Sequence, residues 1–285
     1  MAASRSVADP AAKALADDSF PEQVRRRSES SLAVLVPHSL IQTRRLLVRS
    51  MRDPLTLMQA VVFPALLLVM LNTVLGRQIS AYADYNALYG SVPMTTLVGV
   101  MSGSMAGAIS LGREREAGLL ARFWVLPVHR ASGLIARIAT EGVRILATTV
   151  VLLIAGYALG FRFDQGLLAS LAFLLVPMLF GLAFSTMVTA VAVFTAKATL
   201  VEAISLISSL MMFFSTGFVP LFAFPGWIQP VVEHQPLTLA IEAMKGLSLG
   251  GPVQGPLIGT LLWSGGAIAL FAIPAALGYN KASRR

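Results

Sequence analysis

The chain has 285 residues, of which 56% are hydrophobic and 13% charged, and its mean hydropathy is +0.74. This composition excludes a soluble globular domain and predicts an all-α membrane protein with several spans. The net charge of +8 does not indicate a nucleic-acid partner, because the basic residues lie beside hydrophobic runs and not on a polar domain. Without cysteine the chain has no disulfide, thiol nucleophile or zinc-thiolate site, and the redox compartment stays open.

The N-terminal part divides into a polar tail and an amphipathic helix. Residues 1–36 have little to bury and no apolar core typical of a signal peptide, so we expect a mobile cytosolic tail. Residues 37–53 place Leu40 and Leu47 on one face and Arg45 and Arg49 on the other. This pattern predicts an interfacial helix, either a membrane anchor or a contact for a partner protein.

Residues 54–279 contain six runs that are apolar enough to cross about 30 Å of hydrocarbon. The runs are 55–75, 88–111, a third ending near 160, 167–193, 200–219 and 256–278. Pro64 predicts a kink in the first run, and a short outside loop is expected at 76–86. Gly99, Gly103 and Gly107 leave one face of the second run almost bare, which favours close packing inside the subunit, with a dimer interface or the transport pathway as the alternative.

Charge distribution predicts the orientation of these spans. With alternating spans, 19 Lys and Arg residues lie on the proposed inside and three on the outside, so both termini, including residues 280–285, are expected in the cytosol. Glu141 and Arg144 lie near the cytosolic start of the third span. Their i,i+3 spacing predicts a structural ion pair rather than a substrate site.

Two further segments interrupt the spans. Residues 112–127 combine charges with an apolar series and predict a short helix along the membrane. Residues 220–251 contain four prolines and a Glu242/Lys245 pair, which favours short half-helices dipping into the outer leaflet.

The motif Glu114-Arg115-Glu116-x-Gly118 resembles the E-R-E-x-G signature of type-2 ABC exporter permeases. The organisation of most of the chain is similar to the daunorubicin-resistance membrane subunits of actinobacteria. The resemblance implies that residues 112–127 form a cytosolic coupling helix, which sits in a groove of a separate ATPase subunit. The residues it assigns to this contact are Arg113, Glu114, Arg115, Glu116, Gly118 and Phe123.

The same resemblance assigns a pathway and a gate. Candidates for an apolar pathway lining are Met101, Met105, Met211, Phe213 and Phe214, for which core packing or lipid exposure is the alternative. Residues 220–251 would form a re-entrant helical hairpin that closes the outer end of the pathway. Its candidate residues are Pro225, Trp227, Pro236 and Glu242, although Trp227 also suits an interfacial anchor.

The sequence lacks the motifs of an ATP-hydrolysing chain or another enzyme. None of the four lysines follows a glycine, so the phosphate-binding G-x-x-x-x-G-K-[ST] loop is absent. The three histidines show no metal-ligand spacing. We therefore expect no catalytic residue, metal or cofactor in this chain, with ATP and Mg bound by a partner ATPase.

The function that the resemblance implies is export from the cytoplasmic membrane. Two permease chains would assemble with two ATPase copies, and a paralogous second permease is expected over a homodimer. The cargo would be hydrophobic drugs or complex envelope lipids such as phthiocerol dimycocerosates. A non-transporting scaffold and an ion-coupled transporter are the alternatives; the second would need ionisable residues near the midplane, whereas Glu141 and Glu202 lie near cytosolic ends.

Overall fold

The computed structural model describes residues 32–82, 85–118, 132–194 and 198–283. Secondary structure within these ranges is helical and contains no strand, which confirms the all-α expectation. The helices, in chain order, are α1 (Leu32–Arg52), α2 (residues 54–82), α3 (Leu88–Glu116), α4 (Ser132–Leu159), α5 (Gly166–Phe194), α6 (Ala198–Phe213), α7 (Gln229–His234), α8 (Pro236–Leu249) and α9 (Gln254–Ser283).

Asp53 forms the corner between α1 and α2. Its Oδ1 accepts a hydrogen bond from the Leu55 N–H at 3.1 Å, and its Oδ2 accepts one from the Thr56 hydroxyl at 2.7 Å. Pro54 fills the first helical position, where a missing N–H costs nothing. Asp53 therefore satisfies donors at the start of α2 and holds the chain where α1 ends.

The helix α2 is irregular and longer than the sequence predicted. It runs through Pro54–Leu57 (α), Met58–Val62 (π), Phe63–Met70 (α), Leu71–Leu75 (π) and Gly76–Tyr82 (α). The first π turn directly precedes Pro64, whose ring cannot fit a regular hydrogen-bond ladder. The predicted outside loop at 76–86 is wrong for its first part, because Arg77, Gln78 and Ala81 are good helix formers and continue the helix.

The helix α3 is the centre of the bundle. Within its most apolar window 78% of residues are buried, against 11–39% in the four other helices of spanning length. It packs against α2, α4, α5, α6 and α8. Its glycine face is used inside the subunit: Gly99 faces the Ala60 carbonyl and Thr148, and Gly103 faces Arg144. This confirms packing within the subunit for that face.

Five helices in the described part of the chain are long and apolar enough to cross a membrane. The predicted fifth span, 200–219, is wrong in extent, because α6 stops at Phe213 after 16 residues. At a rise of 1.5 Å per residue it is about 24 Å long, short of a 30 Å core. The chain then turns against α3, where a Cβ on Gly217 would lie 2.4 Å from the Met94 Cβ.

Residues 220–251 are folded into short helical pieces. A 3-10 turn at Leu221–Ala223 is followed by α7 and α8, which meet at Gln235. The side chain of Gln235 donates to the Phe214 carbonyl and, at 2.8 Å, to the Thr238 hydroxyl. The helix α8 packs among α3, α5 and α9 and buries Leu237 and Ile241 completely. The α8 part of this segment thus belongs to the bundle, while Pro225, Trp227 and most of α7 lie at its surface.

Candidate functional site: the signature end of the bundle

Arg113 and the three charged residues of the motif form the last turn of α3. The helix stops at Glu116, the Gly118 N–H donates to the Arg115 carbonyl at 3.0 Å, and Gly118 has a φ of +67°. That left-handed conformation favours glycine over any other residue and is a common helix stop. The first residues of the predicted 112–127 helix therefore belong to α3. Residues 119–131, including Phe123, lie outside the described part of the chain.

Glu114 is buried between three helices. Its side chain is 3% exposed, and its Oε1 accepts a hydrogen bond from Arg49 of α1 at 2.5 Å. Its Oε2 accepts a second from Arg137 of α4. A carboxylate removed from water needs such paired charge to stay ionised. We call this arrangement the Glu114 clasp; it joins the ends of α1, α3 and α4.

Arg115 makes a fourth connection at the same place. Its guanidinium donates to the Val193 carbonyl of α5 at 2.7 Å. Carbonyls in the last turn of a helix lack intrahelical partners and carry partial negative charge, so a cation there is favourable. By contrast, Arg113 and Glu116 are exposed. This last turn thus has an inward pair, Glu114 and Arg115, and an outward pair, Arg113 and Glu116.

A second ion pair lies deeper along the same helices. Glu141 and Arg144 of α4 form the salt bridge that their spacing predicted, and both side chains are largely buried. They lie against the glycine face of α3, where a Cβ on Gly107 would be 2.7 Å from the Glu141 Oε1 and 3.0 Å from Arg144. The glycine face makes room for this ion pair, which places charge in a helix of spanning length.

Between these ion pairs lies a cavity of about 390 Å³. It is lined by α1, the start of α2, and the halves of α3, α4, α5 and α9 nearest the motif. Its charged lining residues are Arg49, Asp53, Arg113, Arg137, Glu141 and Arg144. Ile268, Ala272 and Ala275 of α9 supply an apolar wall. We name this part of the molecule the signature end and the space the signature-end cavity.

Asp53 at the edge of the cavity has a perturbed pKa. Its hydrogen bond from Thr56 lowers the pKa below the ordinary value of 3.8; burial opposes this, while the Leu55 and Thr56 N–H groups and the charge of Arg113 add to it. The carboxylate is therefore charged at neutral pH.

The predicted pathway residues fall into two groups. Met101 and Met105 lie in the hydrophobic core of the subunit, and Met211 packs against it, so these three do not line an open face of the single chain. Phe213 and Phe214 are exposed at the end of α6. Polarizable methionine suits either an adaptable core or a flexible lining.

The predicted gate residues are spread along 220–251. Pro225 and Trp227 are exposed, with Trp227 at 79%, and Pro236 is the first residue of α8. The expected pair of Glu242 and Lys245 is present at 3.5 Å. Lys245 also lies 4.0 Å from the ring centre of Tyr85, a cation–π contact that sequence spacing did not predict.

Sequence reasoning missed the partners of the motif. The sequence places Arg49 on the polar face of an interfacial helix and Arg137 shortly before Glu141, yet both bind Glu114. Neither position carries a local signal of this contact. In the described residues no group of three or more His, Cys, Asp or Glu side chains could hold a metal ion.

Comparison with known proteins places the chain in one group. The ABC-2 type transporter profile matches residues 39–248. The "Probable doxorubicin resistance ABC transporter permease protein DrrC" of Mycobacterium tuberculosis is 49% identical over 256 residues, which cover 90% of this chain and 93% of that protein. The "Daunorubicin resistance ABC transporter permease protein DrrB1" of Streptomyces coeruleorubidus is 29% identical over 84% of this chain and 85% of that protein. A second M. tuberculosis permease, named DrrB, is 26% identical over 64% of this chain and 65% of that protein.

Proposed function

Because this chain belongs to the ABC-2 type transporter family, we propose that it is the permease subunit of an exporter driven by a separate ATPase chain. The permease alone performs no catalysis. Two ATPase copies, each with ATP and Mg, would act on a pair of permeases. The existence of separate DrrB and DrrC permeases among the relatives supports a second, paralogous permease as the partner in that pair.

The observation that carries the proposal is the Glu114 clasp. A force applied to the segment after Gly118 reaches α3 directly, α1 and α4 through Glu114, and α5 through Arg115. Coupling of this kind needs contiguous elements that move together. Glu114 and Arg115 would therefore transmit the movement inside the permease. The exposed Arg113 and Glu116 and the segment containing Phe123 would contact the ATPase.

The orientation follows from charge. Most of the Lys and Arg residues in the described part of the chain lie at the signature end, so it would face the cytosol, together with both termini. The segment containing α7 and α8 would then lie toward the outside. There Pro225, Trp227, Pro236 and Glu242 would belong to a re-entrant hairpin that closes the pathway, with Phe213 and Phe214 exposed nearby to cargo or lipid.

The cargo would be hydrophobic. Relatives are named for resistance to doxorubicin and daunorubicin, which supports a drug of that type, and a complex envelope lipid is the second candidate. The exposed faces of the long helices are apolar, as at Leu175 and Leu262, which fits entry of a cargo from the bilayer.

The test is reconstitution of the chain with a candidate ABC ATPase in lipid nanodiscs, measuring co-purification and ATP hydrolysis. Glu116→Ala should reduce permease-dependent ATP hydrolysis several-fold, because it removes an exposed charge from the proposed contact. Glu233→Ala, on exposed α7 away from the signature end, is the matched control and should change nothing.

The proposal fails if no ATPase associates with the wild-type chain. It also fails if Glu116→Ala and Glu233→Ala give the same hydrolysis rate as wild type in complexes that assemble normally. The scaffold alternative then becomes the better account.

A further inference from the structure

We propose that the signature-end cavity is a binding site for an anionic phospholipid, which enters from the adjoining leaflet and places its phosphate beside Arg113. This goes beyond the proposed function, because it concerns a resident lipid and does not require the ATPase. The inference rests on the size of the cavity, its division into charged and apolar walls, and its opening to the lipid-facing surface.

The size suits part of a lipid. A volume of about 390 Å³ falls in the range of small-molecule sites, roughly 300–1,000 Å³. It is too small for a whole two-chain phospholipid, so the remainder must emerge through the mouth. The mouth allows this: Leu55, Ile109 and Ile138 line the cavity and are also exposed on the apolar surface of the bundle.

The charged wall is net positive. Four arginines and two carboxylates line the cavity, a formal balance of +2, and it stays positive when Glu114 behind Arg49 and Arg137 is included. Salt bridges between described residues engage Arg49, Arg137 and Arg144 but not Arg113. Arg113 is exposed at the mouth, and a guanidinium there can bind a phosphate through two parallel hydrogen bonds.

Polarity changes along the α3 side of the cavity in the direction that an amphiphile requires, while on α4 the Glu141 and Arg144 side chains at the depth of Gly107 neutralise each other in a salt bridge. On α3, Arg113, Ile109 and Ala106 follow each other at i,i−4 and i,i−7, so one face runs from charge at the helix end to apolar surface about 10 Å deeper. On α5, Ser185, Thr186 and Thr189 bring hydroxyl groups to the same space, where a glycerol or ester group would find hydrogen-bond partners.

A basic pocket between membrane helices, bordered by an amphipathic helix, is a recognised way to bind an anionic headgroup. A free phosphate ion could also bind Arg113, but it would make no contact with the apolar wall of Ile268, Ala272 and Ala275. A zwitterionic lipid would bring a phosphate to Arg113 but also a cationic group into a lining whose formal charge is already +2. The combination therefore selects a lipid with both an acidic head and an acyl chain.

The experiment uses the full chain alone in nanodiscs. Retained lipid is measured by native mass spectrometry, and affinity by titrating phosphatidylglycerol into phosphatidylcholine discs. Arg113→Gln should weaken phosphatidylglycerol binding about fivefold, the effect of about 1 kcal/mol for one basic residue near a lipid phosphate. Arg52→Gln is the matched control, since Arg52 is exposed on α1 at the same end but does not line the cavity.

A second variant, Ala272→Trp, fills the apolar wall without changing charge and should abolish retention of the lipid. Three results would overturn the proposal: equal binding by the Arg113 and Arg52 variants, equal retention of phosphatidylcholine, or displacement of the bound lipid by millimolar inorganic phosphate alone. Arg113→Gln alters an exposed residue outside the salt bridges of the described chain, so it tests the site even if Ala272→Trp fails to fold. Because no ATPase is present, failure here leaves the proposed export function untouched.

Discussion

A Cβ added to Gly99 of α3 would lie 2.7 Å from the backbone carbonyl oxygen of Ala60 in α2. No real Cβ occupies such a position, and a backbone atom cannot rotate away from it as a side chain can. Ala60 lies in the first π turn of α2, so the irregular part of one helix rests directly on the bare face of another. This contact makes Gly99 the most demanding of the three stacked glycines.

A graded alanine series along α3 tests this packing. Gly99→Ala should lower stability by about 2–3 kcal/mol, because overpacking forces the backbone apart. Gly107→Ala should cost less, about 1 kcal/mol, since the ends of Glu141 and Arg144 can shift. Gly112→Ala meets no atom within 4 Å and should be neutral or slightly stabilising, because alanine favours the helix. The measurement is the apparent melting temperature in nanodiscs; an equal effect at all three positions would contradict the packing described.

Replacing Glu114 should separate three helices. Glu114→Gln removes the charge that compensates Arg137 in a buried setting, and we expect a loss of about 3 kcal/mol. Arg49→Gln should cost less than about 1 kcal/mol, because the Arg49 side chain is 52% exposed and water can replace it. Glu116→Gln, on the outward side of the same turn, is the control and should stay within about 0.5 kcal/mol of wild type. The apparent melting temperatures of the three variants in nanodiscs test this order, and a Glu114→Gln chain as stable as the wild type would show that the Glu114 clasp contributes little to stability.

The cap at Asp53 should make the start of α2 sensitive to acid. Because the pKa of Asp53 is lowered on folding, its contribution to stability is complete above about pH 3.8 and is lost as the pH falls through the lower folded value. Asp53→Ala should cost about 1 kcal/mol at neutral pH, whereas Asp53→Asn keeps an N-cap acceptor and should cost a few tenths. The loss of the cap in acid is measured as faster hydrogen exchange of the Leu55 and Thr56 amides when the pH is lowered from 5 to 3. If the ratio of these exchange rates between the wild type and Asp53→Asn does not change over this range, protonation of Asp53 does not weaken the cap.

Phe161 should be essential although it lies between two predicted spans. It is fully buried, and its ring centre lies 5.3 Å from that of Tyr89 and 5.2 Å from that of Phe163. Phe161→Ala should cost about 3–5 kcal/mol through the cavity it leaves. Phe222→Ala removes an exposed phenylalanine and should have little effect. Equal melting temperatures for the two variants would disagree with the burial of Phe161.

Local spacing predicted the features that depend on local physics. The helices of spanning length follow from hydropathy, and the Glu141–Arg144 pair follows from i,i+3 geometry. The end of α6 did not follow, because residues 214–219 are still apolar enough to extend a span, and their turn depends on how Gly217 fits Met94 of α3. Hydropathy does not register such a contact between helices.

The candidate site was predicted as a stretch of sequence but not as a structure. The motif from Glu114 to Gly118 was recognised, yet the inward direction of Glu114 depends on Arg49, which is 65 residues earlier. A single sequence carries no signal that joins two such distant positions. The role of Gly118 as the stop of α3 could have been found, because glycine after a charged last turn is typical of a helix end.

The attachment of α1 has a consequence for how the bilayer acts on this protein. Its outer face exposes Leu40, Ile41 and Met51, which favour lipid, while Arg49 holds the helix to the bundle through Glu114. The Gln42 amide also donates to the Ser132 hydroxyl of α4 at 3.0 Å, and α1 packs along α4. A shift of α1 caused by thinning or bending of the leaflet would therefore be passed to α4 directly and to α3 through Glu114.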